Sequence, residues 1–577
     1  MRAIGRTLSG WLGALPLLAV VGIFLVAPVA VLLARSFITA DGFTLTVWGD
    51  LFDSLAVRKA LLTSIALGAT CAVASTLIGT PLAWLVSRRG SRQRTAWLGI
   101  LNVASHFGGV SLAFAYVITL GAFGVLTVAV QGVGLDFQPP ARDSFAALVI
   151  TYEYANVPLF VLLMLPAMGI VRNEWYEAAQ VSSASRWQFW RRIGLPLLAP
   201  FITGGALLSF TWAIGIYGIA YALVGASPTI PTRLLTLQIG QTIANDAVTG
   251  SARAGALSVL LIVLAVAALA AYRLLVRRGL RWFGGHAPAD APSTTSSAAA
   301  SGSGALSVWL RRAFFAAIAV LLALPLLAIG LYSVATRWTT GLLPEGFTLD
   351  YWLTTFADDE AAAAVLTSLL LGTLTTLIVL ALVVPAVYWA RTVNPRVRAA
   401  LETAAAIPLA LPFLVIGLAI LQFSGMVLPS VQGTYPVLLA GYVAITFPFA
   451  YWAVDGAMAA AGVERLSQAA EACGARRSQI IWRVVLPNIR SGLASGALLT
   501  FATVIGEYAL VSVLASSIQT IPVWSAHKLL YRSTDPGYPP LAVVTLSVFA
   551  LLLILALVVS RITRGRPARE VAFVELA

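Results

Sequence analysis

Long apolar runs, separated by short polar connections, repeat along almost the whole chain. Each run has twenty residues or more, enough for an α-helix to cross about 30 Å of hydrocarbon. The runs cover residues 11–34, 60–86, 97–130, 145–170, 197–225, 254–276, 313–335, 363–390, 398–424, 436–460, 491–516 and 540–561. Strand-type alternation is absent, which argues against an outer-membrane barrel. The pattern therefore predicts an all-α polytopic membrane protein with about twelve transmembrane helices.

Two of these runs differ from an ordinary single span. The third, 97–130, is long for one span and short for two, which favours one tilted or extended helix. The first follows Arg2 and Arg6 like a signal peptide, but it is too long and lacks a small-residue cleavage site. We therefore interpret the first run as a membrane anchor and expect six spans in each half of the chain.

Two polar segments between apolar runs are copies of each other. Glu177–Pro196 aligns with Gln468–Pro487 without a gap, including an Ala-Ala pair, clustered arginines and a closing Leu-Pro. Each copy contains good helix formers before its proline, so each predicts a short polar helix that leads into the next span. A small residue at Ser183 and Gly474 is expected to let two short helices approach closely.

An amphipathic helix lying in the membrane interface is the simpler interpretation of one such segment, with its tryptophans among the lipid headgroups. Two copies at matching positions between the fourth and fifth spans favour a docking surface instead. We call residues 174–196 the first docking segment and residues 465–487 the second docking segment.

The duplication extends well beyond the docking segments. Gly42-Phe-Thr-Leu and the later Leu62-Thr-Ser match Gly346-Phe-Thr-Leu and Leu366-Thr-Ser at one constant offset. Between the repeats, Ala287–Gly304 has no large apolar residue, which is typical of a flexible linker. We therefore divide the chain into a first half at 1–278, a cytoplasmic linker at 279–305 and a second half at 306–577.

Composition and charge set the topology. Residues are 59% hydrophobic and 10% charged, whereas charged residues make up about a quarter of a soluble protein. The net charge of +14 comes from arginines at span ends that share one side if the spans alternate. The positive-inside rule places both termini and both docking segments in the cytoplasm. The excess of basic residues is thus explained by membrane topology, and no nucleic-acid partner is expected.

The chain offers no site for chemistry of its own. Its two lysines, Lys59 and Lys528, do not follow a Gly-x-x-x-x-Gly loop, so a phosphate-binding P-loop is excluded. No catalytic Ser/His/Asp grouping or metal-ligand spacing occurs, and the two cysteines, Cys71 and Cys473, suit neither a disulfide nor a metal cluster. We expect no enzyme activity, no metal and no cofactor bound by this chain.

The docking segments resemble the EAA motif of binding-protein-dependent ABC importer permeases, a Glu-Ala-Ala followed by Gly-Ala and a distant Leu-Pro. The residues that correspond to the motif are Glu177, Ala178, Ala179, Ser183, Ala184, Pro196, Gln468, Ala469, Ala470, Gly474, Ala475 and Pro487. In this family the motif forms a coupling helix that sits in a cleft of a cytoplasmic ATPase. Ser183 and Gln468 depart from the motif, so the two docking sites need not be equal in strength.

The resemblance carries further expectations. It implies two tandem six-helix type I ABC importer permease units in a bacterial cytoplasmic (inner) membrane, in contact with lipid. Two copies of a cytoplasmic ATPase would hydrolyse ATP, and an extracytoplasmic solute-binding protein would deliver solute to the opposite face. The fusion of two halves is similar to importers for ferric iron, thiamine, aminoethylphosphonate and polyamines. The substrate stays open among these and other small solutes.

Five residues are candidates for the translocation path or its gate: Glu507, Tyr508, Tyr217, Glu153 and Asp455. An ionisable side chain within an apolar span usually faces a cavity or a partner, and the resembled family often has Gly-Glu-Phe/Tyr at the position of Glu507. The alternative for Glu507 is a helix-packing residue bonded to neighbouring backbone. For Glu153 and Asp455, polar contacts between helices are an equal alternative.

Two other classes of membrane protein fit the sequence less well. A secondary, ion-coupled transporter also has two six-span halves, but it needs intramembrane charged relays, and Glu507 stands nearly alone. A membrane-embedded enzyme or channel would need a catalytic group or a selectivity ring, and the sequence has neither. The sequence therefore predicts the permease of an ATP-driven importer.

Overall fold

The fold is taken from a computed structural model, which describes residues 11–39, 42–171, 173–225, 232–245, 252–282, 305–336, 338, 343–531 and 538–563. Almost all of the predicted linker, both termini and part of the loops after Val224 and Asn245 lie outside these residues. The helix before the linker ends at Trp282 and the helix after it begins at Ala305, so the first residues assigned to the linker are helical.

The first half consists of helices joined by short turns, with one small hairpin. A two-stranded antiparallel sheet pairs β1, Ile38–Thr39, with β2, Gly42–Phe43. The helices are α1 Leu15–Arg35 (with a π-helical turn at Gly22–Val26), α2 Thr46–Asp53, α3 Leu55–Ser87, α4 Ser91–His106, α5 Gly109–Leu120, α6 Val125–Gly132, α7 Phe145–Met168, α8 Asn173–Val181, α9 Arg186–Phe189, α10 Leu195–Gly215, α11 Gly218–Val224, α12 Leu235–Asn245 and α13 Ala252–Trp282.

The second half repeats this order. Its helices are α14 Ala305–Ser333, α15 Asp350–Ala357, α16 Asp359–Thr392, α17 Pro395–Ala410, α18 Phe413–Val427, α19 Tyr435–Ala461, α20 Val463–Ala472, α21 Arg477–Gln479, α22 Leu486–Asn488, α23 Arg490–Gly506, α24 Ala509–Leu514, α25 Ile521–Tyr531 and α26 Tyr538–Thr563. Ten helices of the described residues are long and apolar enough to cross a membrane, and up to twelve if each of two bent pairs is one span. The prediction of about twelve transmembrane helices is confirmed.

The expectation for the third run is wrong, because the structure divides it into α4, α5 and α6. Gly108 is fully extended between α4 and α5, and Gly109 has φ of +65°. Such backbone angles cannot continue an α-helix. The equivalent run of the second half breaks at Leu411-Pro412, where α17 and α18 meet at 104°.

The first helix of each half packs on the other half. Leu17 and Leu25 of α1 are fully buried in a core made mostly by the second half. Leu322 of α14 lies in the core of the first half, and its carbonyl accepts a hydrogen bond of 2.7 Å from the Tyr154 hydroxyl on α7. The two sequence repeats are therefore interlocked, because each packs its first helix on the other.

The repeated Leu-Thr-Ser marks a contact that both halves share. Ser64 on α3 accepts a hydrogen bond of 2.9 Å from the N–H of Leu235, where α12 begins. Ser368 on α16 accepts one of 2.8 Å from the N–H of Ile521, where α25 begins. Each serine thus satisfies a backbone donor at a helix start, which would otherwise be unpaired inside the protein.

Candidate functional site

The first docking segment is a helix, a tight turn and a second helix. Helix α8 ends at Val181, and Ser183 follows with φ of +59°. The N–H of Ala184 donates to the Ala179 carbonyl at 2.9 Å, which closes the turn at the helix end. The next helix begins at a reciprocal cap in which Ser185 and Gln188 bond each other's backbone N–H groups.

The second docking segment has the same backbone. Helix α20 ends at Ala472, Gly474 has φ of +79°, and the N–H of Ala475 donates to the Ala470 carbonyl at 3.0 Å. A side chain at Gly474 would meet nothing within 4 Å. The glycine at this position therefore suits the left-handed backbone angle, and the expected close approach of two helices is not the reason for it.

The two alanines of each motif point in different directions. Ala178 is exposed and Ala179 is buried in the first segment; Ala469 is exposed and Ala470 half-buried in the second. The first segment is held from within by Phe189, which is 2% exposed and packs on Tyr176 with ring centroids 5.2 Å apart. Each segment thus keeps one small-residue face free at the surface while the other face packs on the protein.

The remaining motif residues extend this surface or lead into the next span. Glu177 and Gln468 are exposed, whereas Ala184 and Ala475 are half-buried beside the turn. Pro196 is at the start of α10 and Pro487 is within α22. In both halves a π-helical turn, Trp190–Gly194 or Ile480–Val485, precedes the proline. The second helix of each docking segment is therefore connected to the following span through a π-helical turn, without a break in the first half and across a 77° bend before Arg490 in the second.

Ser183 should be a point of strain that glycine relieves. Among the described residues other than glycine, it is the one with a positive φ, and a left-handed residue with a Cβ costs about 1–2 kcal/mol. We expect Ser183→Gly to raise the thermal unfolding midpoint of the purified protein, and Ser183→Val to lower it. Ser182→Gly, one residue earlier, is the control and should lower stability slightly. Equal midpoints for Ser183→Gly and the parent would contradict this expectation.

Breaks in the fifth span of each half lie against each other. Helices α10 and α11 are separated at Ile216-Tyr217, and helices α23 and α24 at Glu507-Tyr508. The rings of Tyr217 and Tyr508 stack across the two halves with centroids 5.8 Å apart and planes at 17°. Tyr221 also stacks on Tyr508, with centroids 5.4 Å apart. The structure therefore brings both predicted tyrosines together.

The Glu507 carboxylate is bonded to the backbone three residues further along the chain. Its carboxylate accepts a hydrogen bond of 2.8 Å from the N–H of Leu510, and the residue is 7% exposed. The bond satisfies a donor at the start of α24. In the first half the equivalent residue is Ile216, whose carbonyl lies 3.3 Å from the hydroxyls of Tyr152 and Thr236. These contacts agree with the helix-packing alternative for Glu507, and a role in the path stays a prediction.

Glu153 and Asp455 are not part of the tyrosine cluster and lie in separate contacts. Glu153 accepts a hydrogen bond of 2.7 Å from Ser75, which joins α7 to α3. Asp455 accepts one of 2.6 Å from Nε of Arg391, which joins α19 to α16. Both carboxylates thus connect neighbouring helices, which favours the polar-contact alternative over the path.

Arg391 was not recognised from sequence as a site residue, because it lies among the arginines at span ends. The signal for it was Asp455, since a carboxylate in an apolar span needs a cationic partner.

No group of three or more His, Cys, Asp or Glu side chains within the described ranges could hold a metal ion.

Comparison with known proteins identifies relatives for both halves. A family model described as "Binding-protein-dependent transport system inner membrane component" matches residues 75–279 and 382–566. A probable molybdenum ABC transporter permease protein of Haloferax volcanii is 32% identical over 214 residues, 35% of this chain and 78% of that protein. A spermidine/putrescine transport system permease protein of Haemophilus influenzae is 27% identical over 212 residues, 35% of this chain and 73% of that protein.

Similar solved structures include a bacterial ABC transporter involved in the import of the acidic polysaccharide alginate. That chain has 21% sequence identity and a TM-score of 0.40, over 48% of this chain and 98% of its own length.

Proposed function

Since the chain belongs to the family of binding-protein-dependent transport system inner membrane components, with the family's domain present twice, we propose that this one polypeptide supplies both halves of a translocation path. The chain is the permease of an ABC importer. Its two halves would form one complete channel around a pseudo-twofold axis along the membrane normal, as expected for parallel repeats.

Two copies of a cytoplasmic ATPase subunit are proposed to bind the two docking segments. The observation that carries this proposal is the shared backbone of the segments, with a left-handed turn at Ser183 and Gly474 and an exposed alanine at Ala178 and Ala469. An exposed helix with small side chains suits insertion into a cleft of a partner. Because the second helix of each segment leads into a span, directly in the first half and across one bend in the second, movement of the ATPase would be transmitted to the path.

The opposite face is proposed to receive an extracytoplasmic solute-binding protein, in agreement with the description of the family. The cell membrane would be the bacterial inner membrane, with both termini and both docking segments in the cytoplasm, because the arginine-rich connections lie on that side. ATP would be used by the partner ATPase and not by this chain, which has no P-loop lysine.

The stacked rings of Tyr217 and Tyr508 are proposed as the closed gate of the path. They lie where α10–α11 and α23–α24 break, and broken spans at the interface of repeats are where transporters place their substrate route. Glu507 would position Tyr508 by bonding the start of α24. Glu153 and Asp455, which join helices elsewhere, are proposed to pack helices.

The substrate is not assigned. The relatives named for molybdenum and for spermidine/putrescine carry solutes of different chemistry, so resemblance alone does not choose between them. The branch for ferric iron, thiamine, aminoethylphosphonate and polyamines stays a prediction from the fused halves. Screening the partner binding protein for ligand-induced thermal shift would identify the solute.

ATP dependence separates this function from a secondary transporter. We expect proteoliposomes that hold the full chain, its ATPase subunits and the loaded binding protein to accumulate solute when MgATP is supplied on the ATPase side. A catalytically dead ATPase should abolish uptake, and an imposed proton or sodium gradient should not replace ATP. Gradient-driven uptake by the chain without ATPase would overturn the proposal and favour the ion-coupled class.

A further inference from the structure

A buried ionic cluster in the second half joins its docking segment to two membrane spans. Nε of Arg391 is 2.6 Å from one Asp455 oxygen, and its Nη1 is 3.0 Å from a Glu464 oxygen. The side chains of Arg391 and Asp455 are 7% and 2% exposed, while that of Glu464 is 37% exposed. One guanidinium therefore holds two carboxylates, with one contact inside the protein and the other at its surface.

The three residues lie on three different elements. Arg391 is at the end of α16, Asp455 is in α19, and Glu464 is in the first turn of α20, the helix that carries the start of the second docking segment. Gly462, with φ of +62°, bends the chain between α19 and α20. Beside this bend, Arg391 is a side-chain connection that ties α20 to α16 and α19.

The corresponding corner of the first half lacks the buried ion pair. Glu174 is in the first turn of α8 as Glu464 is in that of α20, but Ser87 occupies the position of Arg391, and Met164 and Leu165, at the position of Asp455, carry no charge. At that corner Trp84 lies edge-to-face against Trp190 with 4.5 Å between centroids, and the Arg88 guanidinium is 4.0 Å from the centre of the Trp84 ring. The two docking segments thus share a backbone but are attached to the spans by different chemistry.

The kind of contact, ionic or aromatic, decides how firmly each docking segment is held on its spans. A guanidinium presents its donors in a fixed fork, so both carboxylates must keep their places to remain bonded. Separating Arg391 from Asp455 would leave an unpaired charge in a low-dielectric interior, so the guanidinium stays fixed to the two spans and holds Glu464 from there. An edge-to-face pair of aromatic rings also prefers one geometry, but displacing it leaves no unpaired charge, so it opposes movement less strongly.

We propose that Arg391 is a positioning residue that transmits movement of the second docking segment to the spans α16 and α19. The ATPase bound to that segment would drive the second half directly, and the one bound to the first segment would act through a looser contact. Because Glu464 lies on the helix proposed to dock an ATPase, this role rests on the proposed function.

Glu464→Gln tests the role without stranding a buried charge. The change removes the surface carboxylate but keeps Asp455 paired with Arg391, so the spans stay intact. In proteoliposomes of the whole complex we expect ATPase association to stay at the parent level, and solute moved per ATP hydrolysed to fall roughly tenfold. Arg391→Lys should give a smaller loss, because lysine keeps the charge but not the fork.

Glu402→Gln is the matched control. Glu402 pairs with Arg398, with 2.9 Å between Oε1 and Nε, and is 39% exposed, close to the exposure of Glu464. Nη2 of Arg398 is 3.6 Å from the second Asp455 oxygen, so the variant alters the same cluster from α17 but leaves the contact of Arg391 with the docking segment in place. The solute moved per ATP hydrolysed by Glu402→Gln should equal that of the parent. A normal ratio in Glu464→Gln, with both ATPase subunits bound, would overturn the role of Arg391.

Two further readouts distinguish transmission of movement from simple stabilisation and from failed docking. A purely structural role would lower the thermal unfolding midpoint of Glu464→Gln while leaving solute per ATP unchanged, and this result would also overturn the proposal. If the parent chain itself fails to bind the ATPase subunits, the proposed function fails instead. The two failures are thus distinguished by the binding step in the parent.

Discussion

Placing glutamate at both Ala178 and Ala469 is expected to reduce ATP-driven uptake at least a hundredfold while the protein stays folded. Both alanines are exposed on the docking helices and oppose no part of the core. Alanine and glutamate are both good helix formers, so the helices should persist. In a closed interface, however, each new carboxylate would be buried without a partner. This would cost about 3 kcal/mol of binding free energy, or roughly a hundredfold in affinity.

The measurement is co-purification of the ATPase subunits together with uptake in proteoliposomes. Ala178→Ser with Ala469→Ser is the matched control, because serine adds one small polar atom at the same two places and no charge. The single substitutions show whether the two sites differ in strength, as the departures at Ser183 and Gln468 suggested. Undiminished ATPase binding by the double glutamate variant would show that these faces do not dock the ATPase.

Valine at Gly109 is expected to disrupt the contact between the two halves where the start of α5 meets the end of α23. Gly109 has φ of +65°, and an added Cβ would lie 2.8 Å from the carbonyl oxygen of Gly506 on α23. A β-branched residue at such a φ costs about 1–2 kcal/mol, and backbone shifts to relieve the overlap cost about 1–3 kcal/mol more. We expect a lower thermal unfolding midpoint and uptake reduced by more than tenfold.

Gly108→Ala is the control for this prediction, one residue away. Gly108 has φ of −144°, an extended angle, and a Cβ there would meet nothing within 4 Å. The variant should fold and transport like the parent. ATPase binding should be normal in both variants, because the docking segments are not altered. Comparable stability of Gly109→Val and Gly108→Ala would show that the halves do not press together at this point.

The spans and the docking segments were predictable because their signals are local. A run of apolar residues is bounded by its own composition, and the copies Glu177–Pro196 and Gln468–Pro487 are visible by comparing the chain with itself. The motif in them was enough to indicate the family, which the matches at 75–279 and 382–566 confirm. What Ala178 and Ala469 bind remains a prediction.

The backbone of the breaks was only partly predictable. Phe107-Gly108-Gly109 and Leu411-Pro412 contain the residues that interrupt helices, and yet the third run looked like one long helix because both flanks are apolar. At Ile216-Tyr217 and Glu507-Tyr508 no proline or paired glycine marks the interruption. Hydropathy measures transfer from water to an apolar environment, so it does not register the backbone angle at which a span bends.

The sequence by itself determined the number of spans, the duplication, the docking segments and the absence of a P-loop, because apolar length, repetition and motif spacing are written along the chain. Tertiary structure alone decided which helices touch: α1 and α14 on the opposite halves, Tyr217 against Tyr508, and Arg391 between Asp455 and Glu464. A leucine facing lipid and one facing another helix have the same hydropathy. Partners in a membrane protein are chosen by packing and by paired charge, which appear only once the helices are assembled.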